Sequence, residues 1–481
     1  MADGDLARLF HRLTSYDPTR EWDEVADDPW LVRSFEPNDM ERIPPPVKSF
    51  PEGLPVLALP RELPSTDAGA LAVLGGHATG SASLDLAQLA RLLHLSAGVV
   101  RTTVGTSGHH YLFRAAGSAG GRFPLEVYVV VPDGATDLPA GVHAYRPVEH
   151  ALVRVGPPPV GESVALVVTG VPWRTGWRYR ERGYRHVFWD AGTMLSQLLA
   201  LTASAGLETR LYTGFPDVEV RDLVGADGVD ELPVAVVTVG DAAPGWLAGE
   251  RGTGGSIDEA PVRFPLVTAA HWAGIRTDWD APWPVGDPVD ALPDSATVDE
   301  TVYRRSSARR MDPSVGIPRE AFDASLAVAL RGIDVPHFVA VHGVEGIEPG
   351  LYRCPQLATP VVAGDLRAEL RRIALGQGLA GDAAFVAIAA ADLTSITDRR
   401  YRELQLAAGL VEGRLHLAAY ALGFGASGMT FRDSEIPGLL RDDLEGLLFT
   451  CVGVPEVEHR RAGLPGAPVP FRQVTPRLDD D

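Results

Sequence analysis

Two long, mostly apolar stretches stand out in the pattern of hydrophobic and polar positions along this chain. The first, at 182–206, reads RGYRHVFWDAGTMLSQLLALTASAG, and the second, at 399–423, reads RRYRELQLAAGLVEGRLHLAAYALG. Each pattern predicts one long helix that ends at a glycine, and a helix that is apolar on nearly all sides belongs in a core or an interface. A run typical of a buried β-strand follows each stretch after a loop: VAVVTVG at 234–240 and LLFTCVG at 447–453.

The two stretches are also related in sequence. They align without a gap at a constant offset of 217 residues, and the matched pairs are Arg182 with Arg399, Tyr184 with Tyr401, Arg185 with Arg402, Gly192 with Gly409 and Gly206 with Gly423. Upstream, LPAGVHAYRPVEHALV at 138–153 resembles IEPGLYRCPQLATPVV at 347–362. A repeat of about 210 residues is far longer than the repeats of solenoid proteins, so it indicates a duplicated domain. Two copies of one fold in a chain predict a covalent pseudo-dimer whose long helices pack between the halves.

Two irregular regions flank the first half. Residues 1–80 are rich in Pro, Asp and Arg, and the run IPPPVKSFPEGLPVLALPRELP at 43–64 must be largely extended, because proline disfavours helix at its own position and at the preceding one. The second region, 241–299, carries GTGGS and DWDAPWPVGDPVD and is predicted to be a linker or a lid. The predicted order is therefore an N-terminal arm, a first domain, a linker or lid, a second domain and a C-terminal tail, at 1–80, 81–240, 241–299, 300–460 and 461–481.

Composition narrows the class of protein. A chain of 481 residues predicts two or three domains, and 45% hydrophobic with 22% charged residues is typical of a soluble globular protein. The net charge of −20 argues against nonspecific binding to nucleic acid or to an anionic membrane, so neither is an expected partner. The two cysteines, Cys354 and Cys451, have no metal-ligand spacing, so no metal is expected and reduced thiols are predicted. The absence of a signal-peptide core and of any apolar run of about eighteen residues predicts a cytoplasmic protein.

A cluster of arginines and serines at 303–313, YRRSSARRMDP, precedes a well-marked helix, GIPREAFDASLAVALRG. Guanidinium forks and hydroxyls close to the backbone N–H groups of a helix start form a suitable cradle for a phosphate. The candidate cradle residues are Arg304, Arg305, Ser306 and Arg309. On chemistry alone, a solvated basic loop in a proline-rich region explains the same residues equally well.

This stretch resembles the start of the nitroreductase fold, whose members hold FMN at a dimer interface and grip its phosphate and ribityl chain with an Arg-Arg-Ser-x-x-Arg motif. More narrowly, the chain resembles the SagB/ThcOx-type dehydrogenases, which include the oxidases that aromatise thiazolines and oxazolines in ribosomal peptide natural products. The resemblance covers about residues 80–455. It implies an α+β fold with two nitroreductase-like domains in tandem, FMN as the cofactor, and FMN binding by Arg304, Arg305, Ser306 and Arg309.

A glycine-rich loop carries the next part of the resemblance. RAAGSAGGRFPLEVYVVV at 114–131 is similar to the family's Pro-Ser-x-Gly-Gly-x-x-Pro-Leu-Glu segment, with Gly117 in place of the proline. Small residues let a backbone approach a ring closely, so the resemblance implies flavin contacts by Ser118, Ala119, Gly120 and Gly121. Taken by itself, the stretch is a glycine turn before a buried strand.

A third segment, WRYRERGYRHVFWDAG at 177–192, is similar to a family segment in which a Lys-Tyr pair has been assigned to catalysis. Here the pair is Arg178 and Tyr179, and the resemblance implies that both line the substrate side of the flavin. A guanidinium stays protonated, so Arg178 can stabilise charge or bind substrate but is a poor proton acceptor. Tyr179 can donate or accept a proton, and the adjacent arginine is expected to lower its pKa by favouring the phenolate. For Arg178, Arg182 and Arg185, a solvated helix start is as good an interpretation as a substrate role.

The segment LGFGASGMTFRDSE at 422–435 is close to the family's Leu-Gly-x-Gly-Ala-x-Gly-Met-Thr. In that fold the turn after the helix aims backbone N–H groups at the isoalloxazine ring, which implies flavin contacts by Gly425, Ala426, Ser427 and Gly428. The corresponding turn of the first half, AGLETRLYTG at 205–214, has a glutamate and an arginine instead of the small residues.

The two halves are complementary in these motifs. The first half keeps the Ser118–Gly121 loop but has no arginine motif before it, whereas the second half keeps the arginine motif and the glycine turn but has no counterpart of that loop. The sequence therefore predicts one composite FMN site per chain, at the interface of the halves of an intramolecular pseudo-dimer, and a chain that can act as a monomer.

Three functions remain open. The first choice is a SagB-type dehydrogenase that oxidises an azoline to an azole in a modified ribosomal peptide or a related natural-product intermediate, with biosynthetic enzymes as partners. The second is NAD(P)H-dependent reduction of a nitro, quinone or dehydroamino-acid acceptor. No GxGxxG fingerprint follows a predicted strand, but this says little against it because nitroreductases use nicotinamide without one. The third is a degenerate flavin fold kept as a scaffold or peptide-binding protein.

Overall fold

The computed structural model describes residues 2–17, 38–77, 80, 82–105, 108, 110–240, 244 and 250–478. Over these ranges the chain has an α+β architecture with two large sheets and one small sheet. None of the described helices is long and apolar enough to cross a membrane. Residues 18–37 of the predicted arm lie outside the described residues, as do 241–243 and 245–249 of the predicted linker.

The first large sheet is built from seven strands, which are β1 (Val56–Ala58), β4 (Leu125–Val131), β5 (Gly141–Arg146), β6 (Ala151–Gly156), β7 (Val164–Gly170), β8 (Thr209–Tyr212) and β9 (Leu232–Val239). Their spatial order is β1-β6-β5-β4-β7-β9-β8, and all neighbours are antiparallel. The helices of this half are α1 (Asp5–Leu13), α2 (Ala70–Leu74), α3 (Leu86–Ala97), α4 (Pro172–Tyr179), α5 (Gly183–Ser204) and α6 (Asp217–Leu223). The central strands are rich in valine, whose β-branched side chain favours a strand, and every residue of β4 and β7 is buried.

A small sheet joins the C-terminal segment to the first half. Strand β2 (Val99–Val104) pairs with β3 (His110–Arg114) in antiparallel fashion and with β16 (Val469–Pro470) in parallel fashion. The predicted tail, 461–481, therefore lies against the first domain over part of its length.

The second large sheet has six strands, which are β10 (His337–Val341), β11 (Gly350–Arg353), β12 (Val362–Ala363), β13 (Phe385–Ala391), β14 (Gly425–Met429) and β15 (Glu445–Gly453). Their order is β12-β11-β10-β13-β15-β14, again with antiparallel neighbours only. The helices are α7 (Pro265–Ala273), α8 (Val298–Arg304), α9 (Arg319–Leu330), α10 (Arg367–Ile373), α11 (Leu379–Asp382), α12 (Asp398–Ala421) and α13 (Ile436–Leu440). Helix α7 lies inside the region predicted to be a linker or a lid.

The two large sheets repeat one arrangement. The order β12-β11-β10-β13-β15-β14 in the second sheet corresponds strand for strand to β6-β5-β4-β7-β9-β8 in the first. In both sheets a long helix connects the fourth of these strands to the edge strand: α5 after β7, and α12 after β13. The sequence repeat therefore has a counterpart in the topology.

The long helices α5 and α12 cross in close contact at a pair of glycines. A Cβ atom on Gly192 would lie 2.4 Å from the carbonyl carbon of Gly409, and one on Gly409 would lie 2.4 Å from the carbonyl oxygen of Trp189. Only glycine allows the two backbones to approach this closely. The helices occupy nearly the ranges that the hydrophobic pattern predicts, and they form the interface between the halves.

Buried ion pairs tie each half to the other. Arg182 and Arg185, at the start of α5, each bond to Asp433 of the second half at 2.7 Å. In a matching arrangement, Arg399 and Arg402 at the start of α12 contact Asp217 of the first half at 2.7 and 3.4 Å. The interpretation of Arg182 and Arg185 as a solvated helix start is wrong, because both side chains are fully buried, and neither lines the crevice described below.

Candidate active site

A crevice between the halves contains two adjoining cavities of about 790 and 570 Å³. Residues of both halves line it, and the wall shared by the two cavities consists of Asn38, Ser118, Gly120, Arg178, Ser307, Arg309 and Pro476. Cavities of this size are typical of sites for cofactors and small molecules. The crevice brings most of the predicted site residues together.

The loop Ser118–Gly121 forms part of the first-half wall. Its 3-10 turn contains Gly120 at φ 58° and Gly121 at φ 64°, in the left-handed region that glycine adopts without strain. A Cβ atom on Gly120 would lie 2.7 Å from Oη of Tyr179, so the loop backbone lies directly against that tyrosine. Ser118, Ala119 and Gly120 line the smaller cavity, and Gly121 lines the larger one.

Asp190, on α5, holds this loop in place. The Ser118 hydroxyl lies 2.5 Å from Oδ2 of Asp190, the Ala119 backbone N–H donates to Oδ1 at 2.9 Å, and the Phe123 N–H donates to Oγ of Ser118 at 2.7 Å. Burial raises the pKa of the Asp190 carboxyl to about 8, against the lowering effect of its bonds to Ser118 and Ala119. The sequence reading did not select Asp190, although one acidic residue inside the apolar run VFWDAG was a usable signal.

Tyr179 and Arg178 both lie on the crevice, at the end of α4. The Tyr179 ring stacks on the imidazole of His186 with centroids 3.9 Å apart and an angle of 10°. Burial raises the pKa of this phenol. Arg178 lowers it, as expected, but the effects of Arg178 and Arg309 do not outweigh burial, so the net shift is opposite to the one expected. The Arg178 side chain is open to the crevice.

The arginine motif forms the second-half wall, except for its first member. The segment runs beside β14, where the Ala308 N–H donates to the Ala426 carbonyl at 3.0 Å. Arg305, Ser306 and Arg309 line the larger cavity. Arg304 lines neither cavity: its exposed side chain points to Glu300, with Nε–Oε1 at 2.6 Å.

Residues 425–428, predicted to be a turn, are instead in the edge strand β14. Ser427 and Gly428 line the smaller cavity, whereas Gly425 and Ala426 are packed beneath the surface and line neither cavity. The Ala426 carbonyl points away from β15, because it accepts from the Ala308 N–H. Backbone direction alternates along a strand, so the N–H of Gly428, two residues further on, also points away from β15. The strand edge therefore offers a backbone N–H to the crevice.

Two buried arginines at the crevice have no carboxylate partner in the described part of the chain. Arg305 donates from Nε and Nη2 to the Ala115 carbonyl at 3.1 and 2.9 Å, and Arg101 donates to the carbonyls of Arg305 and Tyr303 at 3.0 and 3.2 Å. Nη1 of Arg305 and Nε of Arg101 are buried without a hydrogen-bond partner among the described residues. Burial lowers the pKa of both guanidiniums. A buried cation is stabilised by a paired anion, so these two side chains favour an anion at the larger cavity that both line.

The arginine pair comes from both halves. Arg305 belongs to the predicted motif, whereas Arg101 lies on β2 of the first half and was missed by the sequence reading. A single arginine in the strand sequence VVRTTV gives no local signal for its role. Its partners Tyr303 and Arg305 lie about two hundred residues away in sequence.

The larger cavity is strongly basic. Its described lining contains no Asp or Glu and six arginines: Arg101, Arg114, Arg122, Arg178, Arg305 and Arg309. The only lysine of the chain, Lys48, is elsewhere, in a buried pair with Glu231. No group of three or more potential metal ligands occurs among the described His, Cys, Asp and Glu residues. The electrostatic field of this cavity favours an anionic ligand.

The C-terminal segment closes one side of the crevice. Phe471 donates its N–H to the Thr102 carbonyl at 2.8 Å, and Arg477 contacts Asp382 of the second half at 2.7 Å. Between these anchors, Gln473, Val474, Thr475 and Pro476 line the larger cavity. The segment therefore spans from one half to the other across the crevice.

Comparison with known proteins finds a family match for part of the first half of the chain. Residues 80–241 match the model of the nitroreductase family. This part of the chain is therefore similar to nitroreductase-family domains. A nitroreductase-like protein of Methanocaldococcus jannaschii is 29% identical over 143 residues, which cover 27% of this chain and 70% of the relative.

Solved structures show that the fold extends beyond the matched domain. A nitroreductase-like protein of Anabaena variabilis aligns over 94% of this chain and 99% of its own, with a TM-score of 0.70 and 24% identity, so the nitroreductase-like α+β fold covers nearly the whole chain. The E. coli microcin synthetase McbBCD complex matches over 50% of this chain and 93% of the other chain, with 20% identity and a TM-score of 0.28, a likeness too low to support an argument.

Proposed function

We propose that this chain is an FMN-dependent oxidoreductase whose single flavin site is built jointly by its two halves. One observation carries the proposal: Arg101 of the first half and Arg305 of the second are buried together at the crevice without a described carboxylate partner. An FMN phosphate would supply the anion that this pair needs. The nitroreductase-family domain and the fold support the flavin as the ligand, since members of that family are typically FMN-dependent.

The remaining walls fit the other parts of the cofactor. The phosphate would lie at Arg101 and Arg305 with Ser306 nearby, and the ring system would meet the edge of β14 and the loop Ser118–Gly121. Bound FMN would supply the group that accepts or releases a hydride. The protein would position the reactants, exclude water and hold a proton at Tyr179, whose raised pKa keeps the phenol protonated at neutral pH.

Within this class we propose azoline-to-azole dehydrogenation of a modified ribosomal peptide or a related natural-product intermediate. Its support is the resemblance of Trp177–Tyr179 and of 422–430 to the SagB/ThcOx-type motifs. Reduction of small acceptors by NAD(P)H is the alternative, and the basic cavity favours it because a dinucleotide carries phosphates. A scaffold without cofactor is the weaker proposal, because it leaves the buried guanidiniums of Arg101 and Arg305 without an anion.

Flavin stoichiometry tests the composite site. The purified chain saturated with FMN should release about one equivalent on heat denaturation, and a ratio near two would contradict a shared site. The variants Arg101→Gln and Arg305→Gln change opposite halves, yet each should weaken the same single site. If the halves held independent sites, each variant would lose at most half of the flavin.

The direction of the reaction is read from flavin colour under anaerobic conditions. A dehydrogenase should bleach when an azoline peptide is added without NAD(P)H, and oxygen should then restore the colour. Rapid bleaching by NADPH, with no response to azoline peptides, would establish the reductase alternative. A chain that takes up no FMN would leave only the scaffold.

A further inference from the structure

Two guanidiniums flank the same glycine on the first-half wall of the crevice. Arg122 donates from Nε to the Gly120 carbonyl at 3.2 Å, and a Cβ atom on Gly120 would lie 2.8 Å from Cδ of Arg178. Arg122 also lies 4.7 Å above the Trp177 ring, which holds its plane against the cavity wall. Both side chains therefore face the larger cavity from neighbouring positions.

The positive charges of these side chains lie close together without an ion-pair partner among the described residues. Neither Arg122 nor Arg178 forms an ion pair with any described carboxylate, and Arg309 approaches from the second half, also without a described ion pair. Partial removal from solvent lowers the pKa of Arg122 and of Arg309 at the crevice, and the nearby Arg178 lowers both further. Bringing like charges together costs free energy, which a bound anion would offset.

The arginine cluster at the crevice contrasts with arginines elsewhere in the chain that have carboxylate partners. With 63 acidic and 43 basic residues, the protein has carboxylates in excess, and several exposed arginines elsewhere are paired with them. Examples are Arg304 with Glu300 and Arg319 with Asp323. The carboxyl groups lining the smaller cavity are those of Asp190, which is protonated near neutral pH, and Glu412.

The FMN phosphate does not account for Arg122 and Arg178. It is assigned to Arg101 and Arg305, which are buried deeper and bonded to backbone carbonyls. Arg122 and Arg178 lie on a different wall, beside the loop Ser118–Gly121 and Tyr179. A second anion, distinct from the cofactor, therefore fits at this wall.

We propose that Arg122 and Arg178 bind an anionic group of the reactant that meets the flavin, with Arg309 completing the site from the second half. This inference rests on the proposed function. The group is a carboxylate of the substrate or a phosphate of a reduced nicotinamide dinucleotide, since a guanidinium fork binds either one through paired hydrogen bonds. In both cases the arginines select the reactant by charge and hold it next to Tyr179.

Matched probes test the site in the FMN-loaded full chain. Benzoate and benzamide differ in charge but hardly in shape, and their binding is measured by perturbation of the flavin spectrum. NADPH and 1-benzyl-1,4-dihydronicotinamide share the reducing ring, but only the first carries phosphates, and both are compared by anaerobic flavin reduction. We expect the native protein to prefer the anionic member of at least one pair about tenfold or more.

Variants identify the residues. Arg122→Gln and Arg178→Gln should bring that preference close to one, Arg178→Lys should keep most of it, and Arg319→Gln should change nothing. Loss confined to the benzoate pair assigns a carboxylate-bearing reactant, and loss confined to the NADPH pair assigns the dinucleotide. A native protein with no preference in either pair, or a preference that survives both Gln variants, overturns the anion site. Either result leaves the proposed oxidoreductase function standing. That function fails only if the chain takes up no FMN.

Discussion

Arg182 of the first half donates from Nη1 to Oδ2 of Asp433 in the second half over 2.7 Å, with both side chains almost completely buried. Arg185 bonds to the other oxygen of the same carboxylate. Asp217 repeats the arrangement in the opposite direction with Arg399 and Arg402. The interface is therefore held by two sets of buried charges, each contributed by both halves.

Removing the Asp433 charge should strongly destabilise the chain. Asp433→Asn leaves two buried guanidiniums without their anion, which costs about 3–5 kcal/mol in the free energy of unfolding. Asp217→Asn should behave alike. Asp442→Asn removes the partly exposed partner of Arg353 and should cost less than about 1 kcal/mol. Urea titration of the three variants measures these differences in the free energy of unfolding.

The Asp433 effect should also depend on pH. Burial raises the pKa of its carboxyl, but Arg182 and Arg185, with smaller effects of His11 and the Tyr16 backbone N–H, outweigh burial and leave the pKa below the ordinary value. The stabilisation is therefore present above the ordinary pKa of about 3.9 and is lost as the pH falls below it. A difference between the native chain and Asp433→Asn that stayed constant from pH 7 down to pH 3 would contradict this assignment.

Arg305 and Arg304 are neighbours in the motif but should differ in their effect on the cofactor. Arg305→Ala should weaken FMN binding about ten- to a hundredfold, through loss of a charge-assisted bond, and should weaken riboflavin much less because riboflavin lacks the phosphate. Arg304→Ala should leave both affinities nearly unchanged, since its side chain points to Glu300. Affinities are measured by flavin fluorescence quenching, and equal losses for both ligands in Arg305→Ala would assign that residue another role.

Tyr179 should act with its proton in place. Tyr179→Phe removes the phenol but keeps the ring that stacks on His186, so the variant should fold and bind FMN while its turnover falls about a hundredfold or more. Tyr352→Phe is the matched control. It removes a hydroxyl that donates to the Glu348 carbonyl and that does not line the crevice, so the variant should retain activity. Unchanged turnover in fully flavinated Tyr179→Phe would reject a role for the phenol.

Asp190 should make flavin binding sensitive to alkaline pH. Its pKa of about 8 lies above the ordinary value, so its contribution to the free energy of unfolding is present at low pH and is lost as the pH rises through about 8. Because Asp190 holds the loop that is proposed to contact the flavin, FMN affinity should fall over the same pH range. Asp190→Asn mimics the neutral acid, and it should bind FMN like the native chain at pH 6 but more tightly at pH 9. Asp190→Ala, which removes both bonds to the loop, should bind weakly at either pH. Parallel FMN affinities of the native chain and Asp190→Asn across this range would show that the carboxyl does not titrate there.

The hydrophobic pattern was sufficient for the large elements of the fold. Helices α5 and α12 follow from their apolar faces and glycine ends, and the constant offset between them indicates the repeat that the two sheets share. The glycines Gly192 and Gly409 align in the sequence, and they meet where the helices cross.

The site residues were harder to predict because long-range packing decides them. The motif spacing alone did not distinguish Arg304, whose exposed side chain pairs with Glu300, from Arg305, which is buried. Arg101 and Asp190 act on partners far away in sequence, and residues 425–428 take strand geometry from their pairing with β15. The pKa direction of Tyr179 depends on how deeply its ring is buried, which the neighbouring Arg178 does not reveal.

The crevice takes its walls from positions as far apart in the chain as Tyr16 and Leu478. A recombination crossover in the region between the two halves would therefore exchange one wall of the crevice and leave the other. Chimeras made in this way from two relatives would combine arginines of one parent with a loop of another, so most should lose ligand binding even when both parents are active. New specificities are better sought by changing both halves together.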